Sequence, residues 1–362
     1  MAKKMSICLL SRYPPLKGGV SVHVQALVKG LKEKGHDITL ITYGKLKRKE
    51  RGTRIIEVPM INLFFLRGLV YLIGAILALR KAREKIDIIH AHPLHPAGTA
   101  AVMFKTFSKV PVVVTSHGSD LAKWSKVPLG KAFFSRIANS SDKVICVSDA
   151  LARRAKDIGI KRKKIMVVPN GIDVPHKIRK ASKIRLRQQL RLPEKKKTVL
   201  FVGMMEDIKN PQELLEVAKH LKDYLFVFVG GGSLERQMRQ YAITNKLGNV
   251  RFTGMKDHET ALKYIRAADI LAVPSKFEGF GIVALEGMML GTAVVAKPAG
   301  ALKNLLARES LTKNLKSRIV QVMESKRLRN KIIRKNSKIA EKFNENTMVD
   351  EIERIYQTVS KT

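Results

Sequence analysis

The chain has 362 residues, 45% of them apolar, which excludes a disordered polymer and leaves room for two domains, each with its own core. Against 69 Lys and Arg stand 30 Asp and Glu, a formal charge of +39, so nucleic acid, anionic lipid and phosphorylated substrates are the partners to weigh. No zinc-finger spacing, RNP-like string or aromatic-interleaved basic face accompanies that charge, which sets specific nucleic-acid recognition aside.

Taken in order, the N-terminus MAKKMSICLLSRYPP lacks a signal-peptide cleavage pattern, and its apolar run is too short to span a bilayer. Cys8 and Cys146 both lie in apolar strand-like runs, as buried thiols in a reducing compartment would. Residues 5–11 read as a first strand and 37–42 as a second. Between them Val20, Val24, Leu27, Val28 and Leu31 mark a helix. Gly18 and Gly19 open that helix, where the missing Cβ lets a ligand approach the backbone. Residues 54–58 form a further strand.

Residues 61–79, INLFFLRGLVYLIGAILAL, are close to spanning length. Arg67 in the interior, two glycines and sheet-like segments on both sides favour a helix packed in the core or lying in a membrane interface. After a strand at 86–90 come His90, His92 and His95. Their spacing fits neither a zinc-protease helix pair nor a Cys/His site, so no metal is expected there. PVVVT at 111–115 is a strand that runs into SHGSDL. Residues 142–147 are another, followed by a helix with Ser148 as N-cap. Trp124 and its neighbours read as part of an acceptor side. The stretch 174–197, rich in Lys and Arg with two prolines, reads as an interdomain linker with a short helix at 184–190.

The second half repeats a βα rhythm through TVLFVG, LFVFVGGG, VRFTG, DILAVP, the stretch that follows and TAVVA. Six strand-like runs predict a second parallel sheet. Asn210 as N-cap and Pro211 at the first helical position start one helix. Lys209 beside that start and the Gly203 turn make a cradle suited to a diphosphate. Residues 274–291, PSKFEGFGIVALEGMMLG, read as a strand end, a glycine turn and a short helix, with Glu278 in the loop and Glu286 eight residues on. Such a junction aims backbone N–H groups and the positive end of a helix dipole at a ligand.

That stretch closely resembles the E-x7-E signature of retaining family 4 glycosyltransferases with the two-domain GT-B fold. YPPLKGG, TSHGSD, PNGID and FVG followed by Lys209-Asn210 resemble further motifs of the same family, in the same order. The resemblance implies an α/β architecture of two Rossmann-like domains facing across a cleft. It implies an acceptor-side domain at 1–175, a basic linker at 176–196, a nucleotide-sugar domain at 197–340, and a helix at 341–362 crossing back to the first. It further implies metal- and cofactor-independent transfer, with retention, of a hexosyl or N-acetylhexosaminyl group from a nucleotide-diphosphate sugar to a glycan or lipid-linked acceptor.

By the same resemblance Glu278 holds the donor sugar near the reacting centre, His117 contacts that sugar, and Lys209 steadies the departing diphosphate. Gly18, Gly19, Gly203, Gly254, Gly279, Phe280 and Gly281 line the donor, and Glu286 binds its ribose. Two departures stand out. Met204 occupies the place of a phosphate-gripping Arg, which Met cannot replace. The segment after Gly300 is shortened, with Ala301 in place of a second glycine and a short strand missing. A catalytically impaired homologue, acting as a partner or regulatory subunit, is therefore the alternative reading. The positive charge fits either a generally basic, solvated surface or a cytoplasmic protein held peripherally on the inner face of an anionic membrane.

Overall fold

The computed structural model describes residues 4–13, 18–43, 52–59, 67–83, 86–118, 121 and 128–360. The basic run at 45–51, residues 14–17, 61–66 and 119–120, and Trp124 lie outside them. The chain divides into two compact units: residues 1–171 with 344–362, and residues 172–343.

The first unit is a seven-stranded, all-parallel sheet. In chain order it contains β1 (Ser6–Leu10), α1 (Gly19–Glu33), β2 (Asp37–Tyr43), β3 (Thr53–Val58), α2 (Arg67–Ala82), β4 (Ile88–Ala91), α3 (Thr99–Ser108), β5 (Val112–Ser116), α4 (Pro128–Ser140), β6 (Lys143–Cys146), α5 (Asp149–Asp157) and β7 (Ile165–Val167). The spatial order is β3-β2-β1-β4-β5-β6-β7, so the direction of winding reverses between β1 and β4. Ser148 caps α5 by accepting from the Leu151 N–H. The core gathers Leu9, Leu27, Leu40, Ile88 and Val113 against Met348, Ile352 and Tyr356 of the C-terminal helix Glu345–Val359. Cys8 and Cys146 are buried and not joined in a disulfide, and burial pushes the Cys8 thiol far up.

Of the apolar stretch at 61–79, the described part, 67–79, lies in α2, which runs on to Ala82 and is two-faced. Tyr71, Ala75 and Leu79 are buried, whereas Leu69, Ile73 and Leu77 are more than half exposed. Among the described residues no helix is long and apolar enough to cross a membrane.

The second unit contains β8 (Thr198–Val202), β9 (Leu225–Val229), β10 (Val250–Gly254), β11 (Ile270–Val273) and β12 (Ala293–Ala296), all parallel in the order β10-β9-β8-β11-β12. Five strands form where six runs were counted. The stretch after β11 holds Pro274, Gly279 and Gly281 and stays a loop, with Gly281 in the left-handed region at φ 101°. The helices that position the site are α6 (Pro211–His220) after β8, α7 (Glu235–Thr244) after β9, α8 (His258–Ala267) after β10 and α9 (Ile282–Met289) after β11. Every residue of β9 is buried, the signature of a parallel strand covered on both faces.

Residues 176–196 carry the expected short helix, one residue earlier than read, and a further helical turn. They form the helical turn His176–Arg179 and the helix Lys183–Gln189, packed within the second unit. Arg187 is buried and donates to Asp269 Oδ2 at 2.7 Å, and Lys183 reaches Asp269 Oδ1 at 2.6 Å. A basic stretch is drawn onto the domain here because Asp269 offers a half-buried counter-charge. Residues 172–175 and 341–343 belong to the second unit, while 344–362 join the first. The shortened segment after Gly300 leaves a single bridge, Ala296 to Leu311, at the edge of the sheet.

Candidate functional site

In the second sheet the winding reverses between β8 and β11, and the loops leaving those two neighbouring strands carry Lys209 and Glu278. The loops are tied by the Lys276 N–H, which donates to the Ile208 carbonyl at 2.9 Å. Lys209 Nζ then sits 2.8 Å from both carboxylate oxygens of Glu278, and Ser275 Oγ donates to Glu278 Oε1 at 2.7 Å. Glu278 is buried at 8% exposure, so this carboxylate is held by an ammonium and a hydroxyl in a largely dry place. Its backbone is fixed as well. The Ala301 N–H donates to the Glu278 carbonyl at 3.0 Å, and a Cβ on Gly300 would stand 2.2 Å from that oxygen. Ala301 therefore serves this turn in place of a second glycine.

Asn210 does not cap α6 with its side chain. It adopts left-handed geometry at φ 50°, and its Nδ2 donates to Glu213 Oε2 at 2.6 Å. Glu213 also receives Lys297 Nζ at 2.7 Å, which links the start of α6 to the end of β12. Pro211 does stand at the start of the helix. Met204 is 38% exposed and puts a thioether where a guanidinium was expected.

Glu286 lies on the buried side of α9 at 4% exposure and shares a 2.7 Å hydrogen bond with His258 Nε2 at the start of α8. Gly203 and Gly254 end β8 and β10 with positive φ, and their strands meet through Gly230. Gly230 donates to the Gly254 carbonyl and receives no Cβ because Gly203 O would lie 1.9 Å away. Phe280 is buried edge-on against Phe343, while Gly279 and Gly281 shape the turn into α9. Lys209, Glu278, Glu286 and the five expected donor-lining residues from Gly203 to Gly281 thus all fall in one unit. Ser275, His258, Glu213 and Lys297 join them without having been singled out. Ser275 stood inside the quoted PSKFEG string, whereas the other three carry no sequence signal.

Gly18, Gly19 and His117 belong to the first unit. Gly18 precedes α1 at φ 137°, and its carbonyl accepts the Ser21 N–H. His117 follows β5, and its Nε2 is 3.1 Å from His92 Nδ1, just beyond β4. His90 shares hydrogen bonds with Tyr356 (2.6 Å) and Thr115 (2.7 Å), and His95 with Thr99 (3.1 Å). Burial first, then the imidazoles of His23 and His90, holds His117 well below the ordinary histidine range.

Two covered α/β sheets whose strand order reverses define a doubly wound class of protein that takes ligands at such switch points, and comparison supplies the family. The description Glycosyltransferase Family 4 matches residues 17–175, and Glycosyl transferases group 1 matches residues 182–348. The chain belongs to the family 4 glycosyltransferases, with the GT-B fold of two Rossmann-like domains. An uncharacterized glycosyltransferase of Methanocaldococcus jannaschii is 29% identical over 98% of this chain and 99% of its own length. A D-inositol 3-phosphate glycosyltransferase of Xylanimonas cellulosilytica is 26% identical over 80% of this chain and 77% of its own. Among solved structures, Anabaena HepE in complex with UDP and glucose superposes with a TM-score of 0.85 at 20% identity, covering 98% of this chain and 99% of that one. Sucrose-phosphate synthase from Thermosynechococcus elongatus superposes with a TM-score of 0.87 at 21% identity, with the same coverage.

Proposed function

We propose that this glycosyltransferase moves a hexosyl or N-acetylhexosaminyl group, with retention, from a nucleotide-diphosphate sugar to a glycan or lipid-linked acceptor. The observation that carries the reading is the bidentate Lys209–Glu278 pair at the mouth of β8 and β11, beside the start of α9. A diphosphate arriving there takes the ammonium from Glu278, and the freed carboxylate accepts sugar hydroxyls. As the bond from the anomeric carbon to phosphate breaks, Lys209 and the dipole of α9 meet the charge left on the diphosphate. That stabilisation requires no metal at the phosphates and no cofactor. Glu286 takes the ribose hydroxyls, and the glycine turns at 203, 254, 279 and 281 admit the donor to the backbone. Anabaena HepE, solved with UDP-glucose, favours a uridine donor.

Gly18, Gly19 and His117 are assigned to the donor as well. With Nε2 of His117 engaged by His92, a sugar contact would use its other ring nitrogen. The acceptor is assigned to an anionic membrane surface on the strength of α2, α3 and α4, which carry no Asp or Glu. These helices expose Leu69, Ile73, Leu77, Phe107 and Leu129, the pattern of an interfacial face. Vesicle flotation at moderate salt should favour anionic over neutral lipid.

A screen of UDP- and GDP-sugars for transfer or hydrolysis tests the enzyme reading. Turnover that vanishes in Glu278→Ala and Lys209→Ala supports it. Failure to bind either UDP or GDP would instead establish the impaired homologue that Met204 suggests.

A further inference from the structure

The first unit holds a histidine cluster of which only His117 has a part in the proposed transfer. Among the described residues, His23 on α1, His92 beyond β4 and His117 beyond β5 bring one ring nitrogen each within 4.8 Å of one another. His23 and His92 are 1% and 0% exposed. Both nitrogens of His23, and Nε2 of His92, have no hydrogen-bond partner. Asn170 Oδ1 is likewise buried without a partner. Its carboxamide lies beside His23 without reaching hydrogen-bond geometry. Four buried polar atoms without partners are costly unless something small occupies the space among them.

The geometry says what kind of occupant fits. Ring nitrogens bind zinc at about 2.0–2.1 Å, which places the ring centres around one tetrahedral ion about 5 Å apart and the nitrogens about 3.3 Å apart. The three ring centres here are 5.2, 4.8 and 5.3 Å apart; His92 Nδ1 lies 3.1 Å from His117 Nε2, and the three nitrogens, within 4.8 Å of one another, would draw together around an ion.

We propose that His23, His92 and His117 bind one divalent transition ion of the zinc type, with Asn170 Oδ1 or a water oxygen as the fourth ligand. On binding, the proton shared by His92 and His117 moves to the far nitrogen of the ring that carries it, so both rings stay neutral. The ion would clamp α1 to the ends of β4 and β5 at the switch point of the first sheet. The proposal does not depend on the donor or acceptor assigned above, because its readout is metal occupancy without any sugar present.

The full chain, stripped with EDTA, is titrated with zinc chloride and separately with cobalt(II). About one equivalent per chain should bind, with the intense visible bands of four-coordinate cobalt. His23→Gln and His92→Gln should each weaken binding about 100-fold or more, while His95→Gln should not. Circular dichroism checks that the variants fold. Should both fail to fold, the cobalt spectrum of the unmodified chain decides alone. Absence of stoichiometric binding, a six-coordinate cobalt spectrum, or binding unchanged in folded His23→Gln and His92→Gln would overturn the proposal.

Discussion

Each sheet presents a cluster of polar groups where its winding reverses, and the two clusters are built on opposite terms. Beyond β8 and β11 of the second unit, Glu278 is fully engaged by Lys209 and Ser275. Beyond β1 and β4 of the first, His23, His92 and Asn170 are buried with polar atoms left over. A pair satisfied by its own members can receive an anion only by exchanging partners, so its resting state stores the charges that a ligand will use. In the histidine cluster, where His92 and His117 are partnered only to each other and His23 to nothing, a small ligand would have only that one hydrogen bond to replace. The same topological position is thus furnished in two ways, decided by whether the neighbouring loop supplies a counter-charge.

The largest expected effect that would break this contrast is at Gly300. A methyl there must push the Glu278 carbonyl away from a 2.2 Å contact, at a residue whose φ is 55°. Gly300→Ala should lower transfer about 100-fold, as expected of a catalytic group moved by about 1 Å, with cooperative melting retained. An unchanged rate would mean that the position of Glu278 does not matter to turnover.

Next in size is a pair of stability measurements. Lys209→Met leaves the buried Glu278 carboxylate without its cation and should destabilise the protein by about 1–3 kcal/mol in urea unfolding. His23→Leu, measured in EDTA, removes two unpartnered nitrogens in favour of a similar apolar volume and should be neutral or stabilising, within about 1 kcal/mol. Equal losses at both sites would erase the distinction between satisfied and unsatisfied clusters.

The smallest effect is one of pH, away from both clusters. Burial alone would raise the Asp269 carboxyl, but Lys183, the Thr198 N–H and Arg187 outweigh it and leave its pKa lowered. A carboxylate lowered on folding contributes stability that is full above its unfolded value near 3.9 and is lost as pH falls through the folded one. The stability gap between the unmodified chain and Asp269→Asn should therefore be about 1–3 kcal/mol at pH 6 and shrink below pH 4. A gap that is flat with pH would show that the Lys183–Gln189 helix is not held by this charge.

The strands were legible because parallel strands covered on both faces are continuous apolar runs, as LFVFV at β9 shows. The stretch from Pro274 was legible as a strand end, a glycine turn and a short helix, and only the tally of six strand-like runs overshot the five strands. Asn210-Pro211 has the composition of a capped helix start. The left-handed backbone at Asn210 turned its side chain to Glu213 instead, a tertiary choice that no local pattern contains. Residues 176–196 looked like a linker because the partner of their charge, Asp269, lies some eighty residues away. The histidine cluster escaped for the same reason. Sequence spacing drew attention to His90, His92 and His95, yet His90 and His95 are held by Tyr356, Thr115 and Thr99. One signal was available: His23 stands three residues after Val20 and four before Leu27, on the buried stripe of α1.

The central claim is that a single ammonium, Lys209, with the dipole of α9 and no neighbouring guanidinium, steadies the departing diphosphate. It is tested most directly by steady-state turnover of Lys209→Ala with the best nucleotide-sugar found for the unmodified chain. Loss of such a donor should lower kcat by about 10²–10³-fold while the folded protein still melts cooperatively. A kcat within about threefold of the unmodified enzyme, equivalent to less than 1 kcal/mol of barrier, would contradict it.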